Sequence, residues 1–308
     1  MRMAPLVACV SALVANNLVS QQRGFPILTG PYLGQKPPGK IPEVFAPGVV
    51  SRDADFEHSA AVFSPDGREV FWCARRNRGT EGDDGFQRLY YMKVVDGRWT
   101  APQVAPFTQH IHVAVQHPVF SPDGSRLYFE RAPESSNDDD IDIYVVERQG
   151  EGWSVPVPVS ALINSPAIER LHSVTADGSI YFTRNLMTSN EEVLVSRFVD
   201  GAFAEPERLG ADFNSDAMEF AIAIAPNEQY MLISQVGDPR LSDEVFISYR
   251  NSDGTWAERI KTPYTAGGFL ALSPDGKYLF MLGEEGIYWV STSFIEELRP
   301  RSRRMHEW

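Results

Sequence analysis

His58, His117 and His172 fall in corresponding places of a repeating pattern, and Glu57, Glu169 and Glu219 recur beside them. Imidazole suits zinc, copper, iron or nickel, and three protein ligands with one open position make a catalytic metal centre. The same three histidines, with Glu57 or Glu169 nearby, would also suit an anion. A second chemistry uses the carboxylates alone. Paired acids cleave glycosidic bonds when they face each other roughly 5 to 9.5 Å apart across a pocket. Glu57, Glu169 and Glu219 are the candidate acids and bases, Arg170 could bind an acidic sugar, and Trp72, Phe220 and Phe269 could stack on a ring.

Other chemistries lack their motifs. The chain has no Gly-x-Ser-x-Gly elbow, no phosphate-binding glycine loop and no HExxH pair. Asn137-Asp138-Asp139-Asp140-Ile141-Asp142 resembles half a calcium loop without its glycine or terminal glutamate, so a solvated acidic loop is expected there. No cofactor is expected, and a divalent metal on the histidines is the one exception to test.

What positions these residues is a phrase written five times. An apolar stretch leads into Ser64-Pro65-Asp66-Gly67, Ser121-Pro122-Asp123-Gly124, Thr175-Ala176-Asp177-Gly178, Ala225-Pro226-Asn227-Glu228 and Ser273-Pro274-Asp275-Gly276, and a second apolar stretch follows each. The third turn residues stand 57, 54, 50 and 48 residues apart, at positions 66, 123, 177, 227 and 275. Proline presets φ, Asp or Asn tolerates the turn's central conformations, and glycine takes positive φ without a steric penalty. Each phrase therefore reads as a β-hairpin, and its aspartate as turn geometry rather than chemistry.

A third strand follows each hairpin, as in Asp142-Ile143-Tyr144-Val145 and Glu244-Val245-Phe246-Ile247. A fourth segment carries an aromatic and usually a proline: Trp99 with Pro102, Trp153 with Pro156, Phe203 with Pro206, and Trp256 with Arg259 in place of proline. Proline confines that strand to an edge. Four-stranded units repeated at this period form the blades of a β-propeller, all-β and five-bladed. The fifth unit lacks its fourth strand, while Pro42-Glu43-Val44-Phe45-Ala46-Pro47 precedes the first and lines up with Pro102-Gln103-Val104-Ala105-Pro106. The N-terminal strand is therefore expected to complete the last blade and close the ring. Inner strands of a propeller converge on its axis, so the histidines and carboxylates just upstream of each turn should face the channel mouth. Their offsets from the turn residue, 8 for His58, 6 for His117 and 5 for His172, need not point the same way on a strand of period two.

The phrase Phe-Ser-Pro-Asp-Gly followed by an apolar strand resembles the PD40, or TolB-like, WD40-like repeat. Pro31-Tyr32-Leu33-Gly34-Gln35-Lys36-Pro37-Pro38-Gly39 is similar to the opening of bacterial exported PD40 proteins. The resemblance covers residues 31–298 or so, and repeats three and four depart from it with Thr-Ala-Asp-Gly and Ala-Pro-Asn-Glu. It implies a periplasmic or extracellular binding scaffold for a protein, peptide or glycan, with His58, His117, Arg170, His172, Phe220 and Phe269 as binding candidates.

Address and charge agree with export. Met1-Arg2-Met3 and an apolar run to Ala15 read as a signal peptide within residues 1–22, cleaved between Ala15 and Gln22. Leu6-Val7-Ala8-Cys9 also spells a lipobox-like string, which would give a lipid-anchored form. Residues 23–41 read as a linker, 42–298 as the propeller and 299–308 as a basic tail. The net charge of −13 argues against nucleic acid, which needs clustered Lys and Arg. Membrane contact is expected only through lipidation or the tail. With the leader removed, Cys73 is the one cysteine left, so no internal disulfide forms.

Overall fold

In the computed structural model, residues 24–53, 55–76, 79, 85–134, 140–185, 191–214, 218–236 and 243–300 are described, with backbone alone for 218–221 and 236. The leader (1–22) and all of the basic tail beyond Pro300 lie outside them. The chain forms five antiparallel blades. Blade one runs Asp55–Glu57 and Val62–Phe63, then Glu69–Arg76, Arg88–Val95, and an outer edge of Arg98–Trp99 and Gln103–Val104. Blade two places Val115–Phe120 innermost, followed by Arg126–Arg131 and Asp142–Gln149. Ile168–Val174 opens blade three, Met218–Ile224 blade four and Leu270–Leu272 blade five. The outer strand of blade five comes from the other end of the chain: Glu43 pairs with Trp289 and Val44 with Tyr288. The ring closes as the missing strand predicts.

The repeated turns close by local bonds. Ser64 Oγ donates to Asp66 Oδ1 at 2.6 Å, and the same carboxylate accepts Arg68 N at 3.0 Å. Ser121–Asp123, Thr175–Asp177 and Ser273–Asp275 repeat the first contact. Ser121 and Ser125 hold the Asp123 carboxyl below the usual range, as expected of a group committed to its turn. Gly67, Gly124, Gly178 and Gly276 all have positive φ, and Glu228 takes that place in blade four at φ 55°. Its strained backbone is held by its side chain: Tyr181 donates to Glu228 Oε1 at 2.6 Å and Arg197 pairs with it. The departure from glycine thus ties blade three to blade four.

A blade is covered on both faces, so its second strand is apolar throughout rather than alternating. In Glu69–Arg76, Phe71 and Cys73 face the seam with blade two, while Val70, Trp72 and Ala74 face the seam with blade five. The buried side chains form five such seams, one between each consecutive pair of blades. The seam between blades five and one also takes in Leu33 and Phe45 from the N-terminal segment.

Two details differ from the sequence expectation. The outer strand of blade four is Ile260–Ala266, continuous over seven residues, and Trp256 makes only a bridge to Arg250. Pro263 lies within this strand, tolerated because the strand is outermost, and the pairing with the third strand shifts register between Glu244 and Phe246. Residues 24–41 are laid against the ring: Trp99 Nε1 donates to Gly30 O at 2.8 Å, Tyr32 Oη to Asp275 Oδ1 at 3.2 Å, and Ser291 N to Gly39 O at 2.9 Å.

Candidate functional site at the channel mouth

The inner strands start at one face and end at the turns on the other. At the starting face the axis is capped. His58 of blade one lies parallel to His117 of blade two, ring centroids 5.5 Å apart, and Phe269 of blade five sits 3.8 Å from His117. Blades two and five share no seam, so this last contact crosses the axis. His117 and Phe269 hold φ of 50° and 31°. Such positions cost side-chain-bearing residues on the order of 1–3 kcal/mol and persist where the surroundings over-determine them.

The parity problem is resolved by bulges. The inner strands of blades two and three slip register between Gln116 and Val119 and between Leu171 and Ser173. An inserted residue re-aims the side chains beyond it. His58 and His117 share even offsets and meet at the axis, while His172, the one with an odd offset, sits at the blade-three bulge and lines the cavity below.

Behind the cap lies Glu130, fully buried on the second strand of blade two. Its Oε1 lies 2.7 Å from His117 Nδ1 and accepts Leu171 N at 2.8 Å, while Oε2 accepts Gln116 Nε2 at 3.0 Å. Burial raises its pKa, but His117, Arg170 and the Leu171 amide outweigh it and hold the carboxyl below its usual range. Sequence reasoning missed Glu130. Its signal was a carboxylate continuing the buried run Leu127-Tyr128-Phe129. Arg170 Nη1 stands 3.8 Å from Glu130, and its Nε 3.9 Å from Glu191, a second buried carboxylate.

The three histidines share a neighbourhood without converging on a metal geometry. His117 Nε2 lies 3.1 Å from His58 O, and His172 Nε2 lies 3.2 Å from Thr183 Oγ1. Among the described residues, the one group with three metal-capable atoms within 4.8 Å is Asp140, Asp142 and Glu169. It includes the end of the acidic run; 137–139 lie outside the described residues. Glu169 is already bound by Ser165 Oγ at 2.6 Å and Arg184 Nε at 2.8 Å. Glu57 accepts Arg52 N at 3.1 Å beside Gly286, in the seam between blades one and five. Burial pushes both carboxyls above their usual range. They sit in different seams rather than facing each other. Glu219 and Phe220 lie on the inner strand of blade four, with side chains outside the described residues. Trp72 is buried in the core between blades five and one.

Beneath the cap, a mostly apolar cavity of about 200 Å³ runs along the axis from His117 and Phe269 to the prolines of four turns, with His172 in its wall. Burial drives His172 down to about 3, and burial with His117, Arg170 and Arg75 drives His58 down to about 4. Both rings are neutral in the folded chain at pH 7, while the unfolded chain takes up protons below about 6.5. Stability from His172 is therefore complete above about pH 6.5 and is lost as pH falls toward its folded pKa. The stability advantage of wild type over His172→Gln should shrink by about 2 kcal/mol between pH 7 and pH 5. Urea unfolding at the two pH values checks this, and parallel profiles would refute it.

No family model matches the chain, and no curated protein matches it. Solved structures do. A TolB candidate of Agrobacterium tumefaciens superposes with a TM-score of 0.50 at 18% identity, covering 74% of each chain. TolB of Acinetobacter baumannii gives 0.47 at 15% identity over 78% of this chain, which spans 55% of that protein. A gluconolactonase of Xanthomonas campestris gives 0.44 at 13%, covering 86% of this chain and 96% of the other. At these identities the Agrobacterium likeness speaks to fold alone: the chain is a five-bladed, TolB-like β-propeller.

Proposed function

We propose that this chain is an exported β-propeller scaffold that binds a protein, peptide or glycan at the mouth where the inner strands begin. The observation that carries the reading is the cap: side chains from three blades, two on strained backbone, close the axis. A ligand at this face meets a floor held by rigid strands, and the loops around it supply recognition. The basic, apolar leader supports a periplasmic or extracellular address. No helix among the described residues is long and apolar enough to cross a membrane. The committed bonding of Glu57 and Glu169 favours binding over glycoside hydrolysis or lyase chemistry. The acidic body disfavours nucleic acid, and membrane contact would come through Cys9 lipidation or the basic tail. No cofactor is required by this reading.

Glycan and peptide arrays probed with wild type, with Phe56→Ala at the mouth and with Lys277→Ala at the turn face test it. The expected result is a set of ligands lost with Phe56→Ala and retained with Lys277→Ala. Ligands that ignore the mouth variant, or products released from the array, would overturn it.

A further inference from the structure

Three arginines, Arg75 of blade one, Arg131 of blade two and Arg170 of blade three, each bury Nε without a hydrogen-bond acceptor among the described residues. Arg131 already pairs through its other nitrogens with Glu134 and Tyr144, which leaves Arg75 and Arg170. A buried donor left unpaired is destabilising, more so on a charged group. The carboxylates near Arg170 do not relieve it. Glu130 and Glu191 stand at 3.8 and 3.9 Å, and the oxygens of Glu130 already serve His117, Gln116 and Leu171. A run of contacts joins them across the mouth: Arg170 stands 3.8 Å from Glu130, Glu130 lies 2.7 Å from His117, His117 stacks on His58, and His58 lies 6.2 Å from Phe56, the cross-strand neighbour of Arg75.

Phe56 completes the arrangement. It is the cross-strand partner of Arg75, so both side chains stand on the same face of blade one. Its ring is 55% exposed and 6.2 Å from His58. An exposed aromatic beside an underused guanidinium offers one surface for stacking and one for an anion. Directly opposed side chains start about 4.5–5.5 Å apart, a spacing that one sugar ring and its own exocyclic carboxylate can span. Glu130 and Glu191 keep the local balance from favouring a dianion such as phosphate.

Building on the mouth reading, we propose that the ligand is a carboxylated glycan: a uronate residue whose carboxylate accepts from Arg75 and Arg170 while its ring lies on Phe56. The bidentate fit of guanidinium to carboxylate makes Arg the suited residue, and lysine a poor replacement.

Calorimetric titration of the full chain with trimers of galacturonate, glucuronate, mannuronate and guluronate tests this, beside their methyl esters and an acidic peptide of equal charge. The expected result is saturable binding of at least one trimer, with no binding of its ester. Arg170→Ala, Arg75→Ala and Arg170→Lys should each weaken it by about tenfold or more, measured at a temperature where circular dichroism shows each variant folded. Phe56→Ala should weaken it without altering its salt dependence. No uronate binding, equal binding of the esters, or binding of the acidic peptide alone would overturn the proposal. Array ligands that still depend on Phe56 would then leave the scaffold reading standing, whereas their absence would remove both.

Discussion

Replacing Glu130 by alanine is expected to destabilise the fold by about 3–5 kcal/mol, the cost of removing one partner from a buried charged network. The carboxylate is fully buried and serves His117, Gln116 and Leu171 N while facing Arg170. Its loss strands a buried amide N–H and removes the countercharge to Arg170. The same change frees His117, so the axial cap should loosen together with the seam between blades two and three. Glu130→Gln separates the two contributions. It keeps an acceptor for Leu171 N but removes the charge, so its cost should be smaller. Urea unfolding at pH 7 reads both variants; a loss below about 1 kcal/mol for alanine would show that the network is dispensable.

Phe45→Ala should cost about 3–5 kcal/mol, the range for removing a buried phenylalanine. Phe45 is fully buried and follows the strand that completes blade five. Its ring lies 5.1 Å from Phe280, 5.3 Å from Trp289 and 5.8 Å from Phe63. Those partners belong to blades five and one, so the substitution weakens the seam at which the ring is joined. Val155→Ala, at an exposed position on blade two, is the control and should change stability by less than about 0.5 kcal/mol. Equal midpoints for the two variants would argue against a closure that depends on the N-terminal strand.

The parts of this fold that were legible are those whose cause is local. Ser64, Asp66 and Gly67 make their turn within a few residues, so the turn is written where it forms. The unbroken apolar run from Val70 to Ala74 shows burial on both faces, and the missing fourth strand before Ser293 points to its replacement at Glu43–Val44. The mouth is legible only in outline. His58, His117, His172 and Phe269 are found by their place upstream of the turns, yet whether they meet depends on bulges at Gln116 and Leu171 that no residue type announces. Glu130 escapes because its partners come from another hairpin and another blade. Arg75 and Phe56 escape because only the strand register sets them side by side. The contact between His117 and Phe269 joins residues whose separation in sequence says nothing of their shared axis.

On the proposed function, ligand binds at the mouth where the inner strands begin and leaves the turn face untouched. Amide hydrogen exchange with and without the tightest array ligand tests this. Protection is predicted in the segments carrying residues 56–58, 115–118, 168–172 and 267–270, with the turns at 64–67, 121–124, 175–178 and 273–276 unchanged. Protection confined to those turns would contradict it.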